Sequence, residues 1–253
     1  RPGPPSPDPP AGYSAPVRPG DRVERLTVGA ALGPVGTPAC TVRLIADPTA
    51  LGDGTHVGTV GTGSAGLALP DGRRYELGAG MWFVVPGPAV LEPAPLDAAA
   101  PGEGGARAVV ISVSGWTGLF ALGGPVEPTG RLTYIDGCTD TVLAAPPRRG
   151  DPCLNLLVVP PHTDQTTHHH PSFRAGIVVA GRGRCDFTGG HHPLAVGAGW
   201  YIPPGVDHSF HTGDDPLAVV AFHPDSDTGP TDEDHPMRNR TRIALAFVAL
   251  TVP

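Results

Sequence analysis

The sequence contains no lysine. All 17 of its basic residues are arginine, against 24 acidic ones, for a net charge of −7. Without a lysine amine no lysine Schiff base can form, and without a basic run there is no footprint for nucleic acid. No apolar run reaches the eighteen residues of a membrane-spanning helix, so no membrane partner is expected. No leader-like stretch is recognisable either, which makes the cytoplasm the expected location. Helix-period patterning of useful length is also missing. The four cysteines, Cys40, Cys138, Cys153 and Cys185, form no C-x-x-C. Free thiols in a reducing compartment are therefore expected over any of the three disulfide pairings that four cysteines allow.

Glycine (36) and proline (33) are abundant among the 253 residues. That balance predicts an all-β chain of many short strands and turns, long enough for one large or two small domains. Residues 1–20 are so proline-rich that an extended arm is expected. Strand-like runs follow at 25–31, 40–46, 108–113 and 154–159, with a small-residue loop over 95–107.

The chemistry concentrates between Thr167 and Thr212, under a fifth of the 253 residues. His168 and His170 form an H-x-H pair. Alternate residues of a strand share a face and rise about 3.3 Å each, so the two imidazoles would emerge side by side. The rigid turn Pro203-Pro204-Gly205 can return a later strand to the same point, where His208 would be a third nitrogen donor.

This pattern resembles the two signature motifs of the cupin superfamily, small β-barrels that hold a metal inside. The second motif agrees at every fixed position up to His208, and Thr212 replaces its usual terminal Asn. In the first motif, Arg174 stands where cupins usually carry a glutamate ligand. A cation cannot ligate a metal, so the resemblance implies a three-histidine site of His168, His170 and His208, in a double-stranded β-helix or jelly-roll barrel. Neutral nitrogen ligation suits zinc and iron(II) alike, with zinc favoured here. Other histidines read as non-ligands. His169 falls on the opposite strand face and His211 off the ligand face. His191 and His192 fall in an exposed turn, and His162, His223 and His235 carry no pattern.

Leu77–Leu91 repeats the Gly-Ala-Gly, aromatic strand and Pro-Gly turn of Val196–His208, with Val90 where the second copy has His208. We read this as an internal duplication. It implies a bicupin with a degenerate barrel at 21–130, which contains only His56, and a metal-binding barrel at 131–224. The first barrel would then offer a sheet for packing against the second. Tyr134, Asp136 and Cys138 could line the second barrel's mouth, or could be ordinary turn residues.

Arg174 lies four residues past His170, so strand alternation points it into the same cavity. A buried guanidinium needs an anionic partner. That partner is either a substrate carboxylate, making Arg174 the expected catalytic-site contact, or an internal acid such as Asp164 or Asp186. In the final segment, 225–253, an acidic linker leads into the apolar run Ile243–Val252. This run either closes a cupin sheet or opens a following domain. With the last residues Thr251-Val252-Pro253 it resembles the first strand of methionyl-tRNA-synthetase-like domains. A cupin fused ahead of such a domain is the architecture of bacterial hydrazine synthetases, whose zinc cupin rearranges an amino-acyl ester of an N-hydroxylated lysine to form an N–N bond. The resemblance thus implies a small-molecule substrate bearing an amino-acid carboxylate. The rival readings are an iron(II) three-histidine dioxygenase or N-oxygenase, and a non-catalytic small-molecule-binding cupin. Cupins commonly dimerise, which makes a homodimer one expected assembly.

Overall fold

The computed structural model describes residues 22–94, 105–238 and 241–242. The proline-rich arm, most of the small-residue loop and the run 243–252 lie outside the described residues. The described chain is almost entirely strand and turn, with one short 3-10 turn at Ile135–Gly137.

Residues 31–123 build two facing sheets. The larger runs in the order Ala121–Gly123, Trp82–Pro86, Thr55–Thr62, Arg107–Val113, Cys40–Ile45, Ala31–Val35. The smaller runs Thr49–Leu51, Ala89–Pro93, Ser64–Ala68, Arg74–Gly78. Leu51, Leu67, Leu77, Phe83 and Leu91 fill the space between them. Later residues repeat the plan. Glu24–Arg25, Gly199–Ile202, the first half of Arg174–Phe187, Leu217–His223, Cys153–Val159, Thr139–Ala144 and Leu132–Thr133 form one sheet. The long strand shifts register between Val178 and Ala180, and its second half pairs with Gly190–Ala195 and His208–His211 to begin the facing sheet. Gly181 follows that shift with φ +71°, where a Cβ would lie 1.8 Å from the Pro216 carbonyl oxygen, so only glycine fits.

The two sandwiches pack back to back. Val42, Val109, Ile111 and Val113 of the first meet Leu154, Leu156, Ile177, Val220 and Phe222 of the second in one buried cluster. This explains why Arg107–Val113 and Cys153–Val159 read as continuous apolar runs. Both faces of each strand are covered, so the usual alternation is lost.

The two sandwiches share a plan, but the register in which they correspond differs from the one the sequence suggests. Gly80 N–H donates to the Val60 carbonyl and Gly197 N–H to the Val178 carbonyl, so Gly80, not Gly78, is the counterpart of Gly197. In the same register Gly58 faces Phe83 and Gly176 faces Trp200. The counterpart of the His168 and His208 bridge is then the pair Leu51 and Ala89, while Val90 is 36% exposed and cannot stand in for His208. Hydrogen-bond register outranks the Gly-Ala-Gly match because glycines recur in many turns of this chain. His56 occupies the position of Arg174, each paired with the last apolar residue of the neighbouring strand, Val85 and Ile202. His56 is buried and bonded through Nδ1 to Ser112 Oγ and through Nε2 to the Gly52 carbonyl, both at 2.9 Å. Both of its ring nitrogens are thus engaged within the chain.

Candidate metal centre

His168 and His170 lie in an extended segment at the sheet end rather than within a regular strand, a correction to the expected H-x-H strand. A single bridge holds them there: His168 N–H donates to the His208 carbonyl at 3.0 Å and His208 N–H returns to the His168 carbonyl at 2.9 Å. The His170 carbonyl accepts from Gly205 N–H at 2.8 Å, which ties the Pro-Pro-Gly turn to the same place. The three side chains each offer a nitrogen within 4.8 Å of the others. Ring centroids are 4.5 Å apart for His168 and His208, 5.1 Å for His168 and His170, and 5.2 Å for His170 and His208.

Two of the rings are oriented from behind. His168 Nδ1 lies 2.9 Å from the Thr166 carbonyl and His208 Nδ1 lies 2.8 Å from the Val206 carbonyl. A carbonyl only accepts, so each Nδ1 carries the proton and each Nε2 presents a free lone pair, the arrangement a ligating imidazole requires. Asp136 extends this support by accepting from Thr166 N–H at 2.6 Å and Thr166 Oγ at 3.1 Å. Burial, with Arg174 and the neighbouring histidines adding to it, pushes His170 down to about 3. Burial likewise brings His208 down to about 4, only partly opposed by its bond to the Val206 carbonyl. Both rings are therefore neutral at physiological pH, the form that binds a divalent ion. The cluster passes the test of fit for one metal on its donors alone.

The imidazoles open onto a cavity of about 260 Å³. Arg174 lines it, with its side chain 11% exposed. Neither Asp164 nor Asp186 pairs with this guanidinium. Asp164 bonds His211 Nδ1 at 2.9 Å and Asp186 bonds Arg184 Nε at 2.8 Å. Arg174 Nη1 donates instead to Ser172 Oγ (2.7 Å) and the Phe173 carbonyl (2.9 Å), with Asp225 at 4.0 Å. Its Nε is buried with no partner among the described residues.

The remaining expectations divide. His169 is exposed and bonded to Asp207 at 3.0 Å, and His211 is held by Asp164 and Ser209, so neither joins the cluster. His192 is half-buried on the strand Gly190–Ala195, with Nε2 3.0 Å from the Val23 carbonyl, rather than in an exposed turn. Tyr134 lines the cavity, edge-on to His168 at 6.5 Å, whereas Cys138 is buried beside Gln165. The Thr212 hydroxyl is engaged with the Pro160 carbonyl and Thr163 N–H. Sequence reasoning missed Asp140, Asn155, Trp200 and His223, all of which line the cavity. The one available signal was Asn155, a polar break in the apolar run Cys153–Val159.

Residues 155–223 match the family model of the cupin domain. Among solved structures, the 11S allergen from Cocos nucifera aligns at 10% identity over 81% of this chain and 90% of its own, with a TM-score of 0.52. Protein Ylba from E. coli aligns at 12% over 87% and 90%, TM-score 0.50. The Cupin 2 conserved barrel domain protein from Leptotrichia buccalis aligns at 11% over 79% and 87%, TM-score 0.49. None of the curated proteins matches the sequence. At such identities the likeness concerns the fold, and it agrees with the expected jelly-roll barrel of the cupins.

Proposed function

We propose that this chain, a cupin by fold, is a divalent-metal enzyme of small-molecule metabolism. Its reaction, in this reading, is the zinc-dependent rearrangement of an amino-acyl ester of an N-hydroxylated amino acid into a hydrazine. The observation that carries the metal assignment is the convergence of three neutral imidazoles, two of them with Nδ1 fixed on a carbonyl and Nε2 left free. His168, His170 and His208 would hold the ion. Three neutral ligands would leave it its full double charge, so that once bound it supplies a Lewis acid beside the cavity. The finer reaction is supported by the resemblance of the run 243–253 to the opening of a synthetase-like domain, and by a cavity of amino-acid size.

The rearrangement balances without an external oxidant. The N–O bond of the ester breaks and the amine of the aminoacyl group forms the N–N bond. The hydroxylamine nitrogen is reduced as the amine nitrogen is oxidised and gives up one proton, and the acyl group, still joined to that nitrogen through its α-carbon, becomes the free carboxylate of the hydrazine product. Arg174 would take a carboxylate, either one already on the substrate or the one that N–O cleavage frees, since a guanidinium presents a two-pronged donor to carboxylates.

The decisive measurement is the element-resolved metal content of protein purified without added metal, beside a His208→Ala variant. Zinc at about one equivalent, lost in the variant, is the expected result for a site that three histidines would hold. Iron with the same dependence would overturn zinc in favour of oxygen chemistry. No metal in either protein would overturn the site.

A further inference from the structure

The two sandwiches leave a second cavity between them, of about 210 Å³. Val57, Trp82 and Val84 wall it from the first sandwich, and Leu154 and Phe222 from the second. All but Trp82 are buried members of the cluster that the two halves share. Protein interiors have few voids larger than a water molecule, so an opening of this size in a shared core is a marked exception. Leu154 and Phe222 face it, while their chain neighbours Asn155 and His223 line the histidine cavity on the other side of the same two strands. The two spaces have a wall in common and, among the described residues, no lining residue in common.

The chemistry of the second cavity is uniform. Among the described residues that line it, none has a charged, hydroxyl or amide side chain. The Cys153 thiol and the indole N–H groups of Trp82 and Trp116 are its polar side-chain groups. Burial pushes that thiol up to about 11, so it too is uncharged. Both indole rings are fixed from behind. Gly123 lies directly opposite Trp82 across the paired strands Ala121–Gly123 and Trp82–Pro86, and an added Cβ there would overlap the ring. At Gly118 an added Cβ would lie 2.7 Å from the Trp116 ring. The loop carrying Trp116 is pinned by the buried Thr55, whose Oγ donates to the Trp116 carbonyl at 2.8 Å and accepts from Gly118 N–H at 3.0 Å. Each ring is thus seated on a glycine, and the walls are preformed, as those of small-molecule pockets usually are. Leu119, 71% exposed, stands at the mouth.

We infer that this cavity is a second ligand site, for a neutral molecule built on a single aromatic ring. A cavity of about 150 Å³ lined by apolar side chains takes benzene. The 210 Å³ here admits one ring with a short substituent. Two indoles favour a flat partner, because aromatic pairs gain contact energy beyond their buried area. A charged ligand would be buried with nothing to offset it. The site goes beyond the metalloenzyme reading and does not depend on it.

The three tryptophans make the test direct, because Trp82 and Trp116 line this cavity and Trp200 lines the other. Toluene is titrated into the isotope-labelled whole chain and the indole N–H signals are followed by NMR, each assigned with Trp82→Phe, Trp116→Phe or Trp200→Phe. Saturable shifts at Trp82 and Trp116, with Trp200 unmoved, are expected. Benzoate and benzylammonium, the same ring with a charge of either sign, should bind about tenfold more weakly or worse. Toluene should bind Ala121→Leu and Ala144→Leu more weakly by about the same factor. These variants fill the space from opposite walls and should keep or raise the melting temperature. No saturable shift, a shift centred on Trp200, equal binding of the charged rings, or undiminished affinity in both filled variants would each overturn the site. His208→Ala removes a proposed metal ligand and none of this lining, so it should leave toluene affinity unchanged. Either site can therefore fail while the other stands.

Discussion

His170 and His208 are held uncharged by burial, and this makes stability depend on pH. Their folded values of about 3 and about 4 lie below the ordinary 6.5. Between those limits the unfolded chain binds more protons than the folded one. Metal-stripped protein should therefore keep full stability above about pH 6.5 and lose it as pH falls towards 4. Melting temperature followed against pH should show this slope, and a His208→Gln variant, which leaves His170 in place, should make it shallower. Arg174→Met should keep fold and metal but lose apparent affinity for a carboxylate-bearing ligand by tenfold or more, read by titration calorimetry. Unchanged affinity would return Arg174 to a purely structural role. The thiols are a simpler case. Burial pushes Cys40 and Cys185 up to about 12 and Cys153 up to about 11, so a thiol reagent should label them only after denaturation. At this scale the sequence was most legible where a motif fixes several residues together: the spacing of His168, His170 and His208 was enough to expect the grouping that the structure brings about. Asp140 and His223 were not legible, because a single polar residue near a strand end gives no sign of the face it will occupy.

Among the elements, the long strand Arg174–Phe187 does most to shape the site. Gly176 in its first half faces Trp200 so closely that an added Cβ would lie 2.1 Å from the Val220 carbonyl oxygen and 2.7 Å from the indole ring. Neither neighbour can yield without moving a central strand. Gly176→Ala should thus cost at least the 1–3 kcal/mol of an overpacked core, seen as a lowered denaturation midpoint, and should shift the Trp200 fluorescence. The same contact recurs at Gly58 and Phe83, and it identifies the repeat more surely than letter matching did. Strand locations were readable from apolar runs and turn glycines. Register was not, since two Gly-Ala-Gly copies can be aligned without knowing which glycine carries the turn. Nor could sequence show that His168 and His170 sit beyond a strand end, because one reciprocal pair of backbone bonds extends a chain as effectively as a ladder does.

At the scale of the molecule, the first sandwich covers a sheet face that the second could not leave in water. Phe222 is fully buried in that shared cluster and packs on Phe173 with centroids 6.0 Å apart. Phe222→Ala should cost about 3–5 kcal/mol. Because the lost contacts belong to both halves, denaturant transitions read by near-ultraviolet dichroism and by far-ultraviolet strand signal should remain coincident; separate midpoints would show independent halves. The chain also crosses this boundary early. Glu24 and Arg25 pair with Tyr201 and Trp200 at the edge of the later sheet, Leu26 N–H bonds the Gly199 carbonyl, and Val23 is buried in the later core, before the chain turns back to build the first sandwich. Seen as a thread under tension, that short strand is a stitch. Tension applied at residue 22 reaches the wall of the histidine-bearing barrel before it reaches the sheets nearest in sequence, so under a pulling force the cavity would feel the tug first.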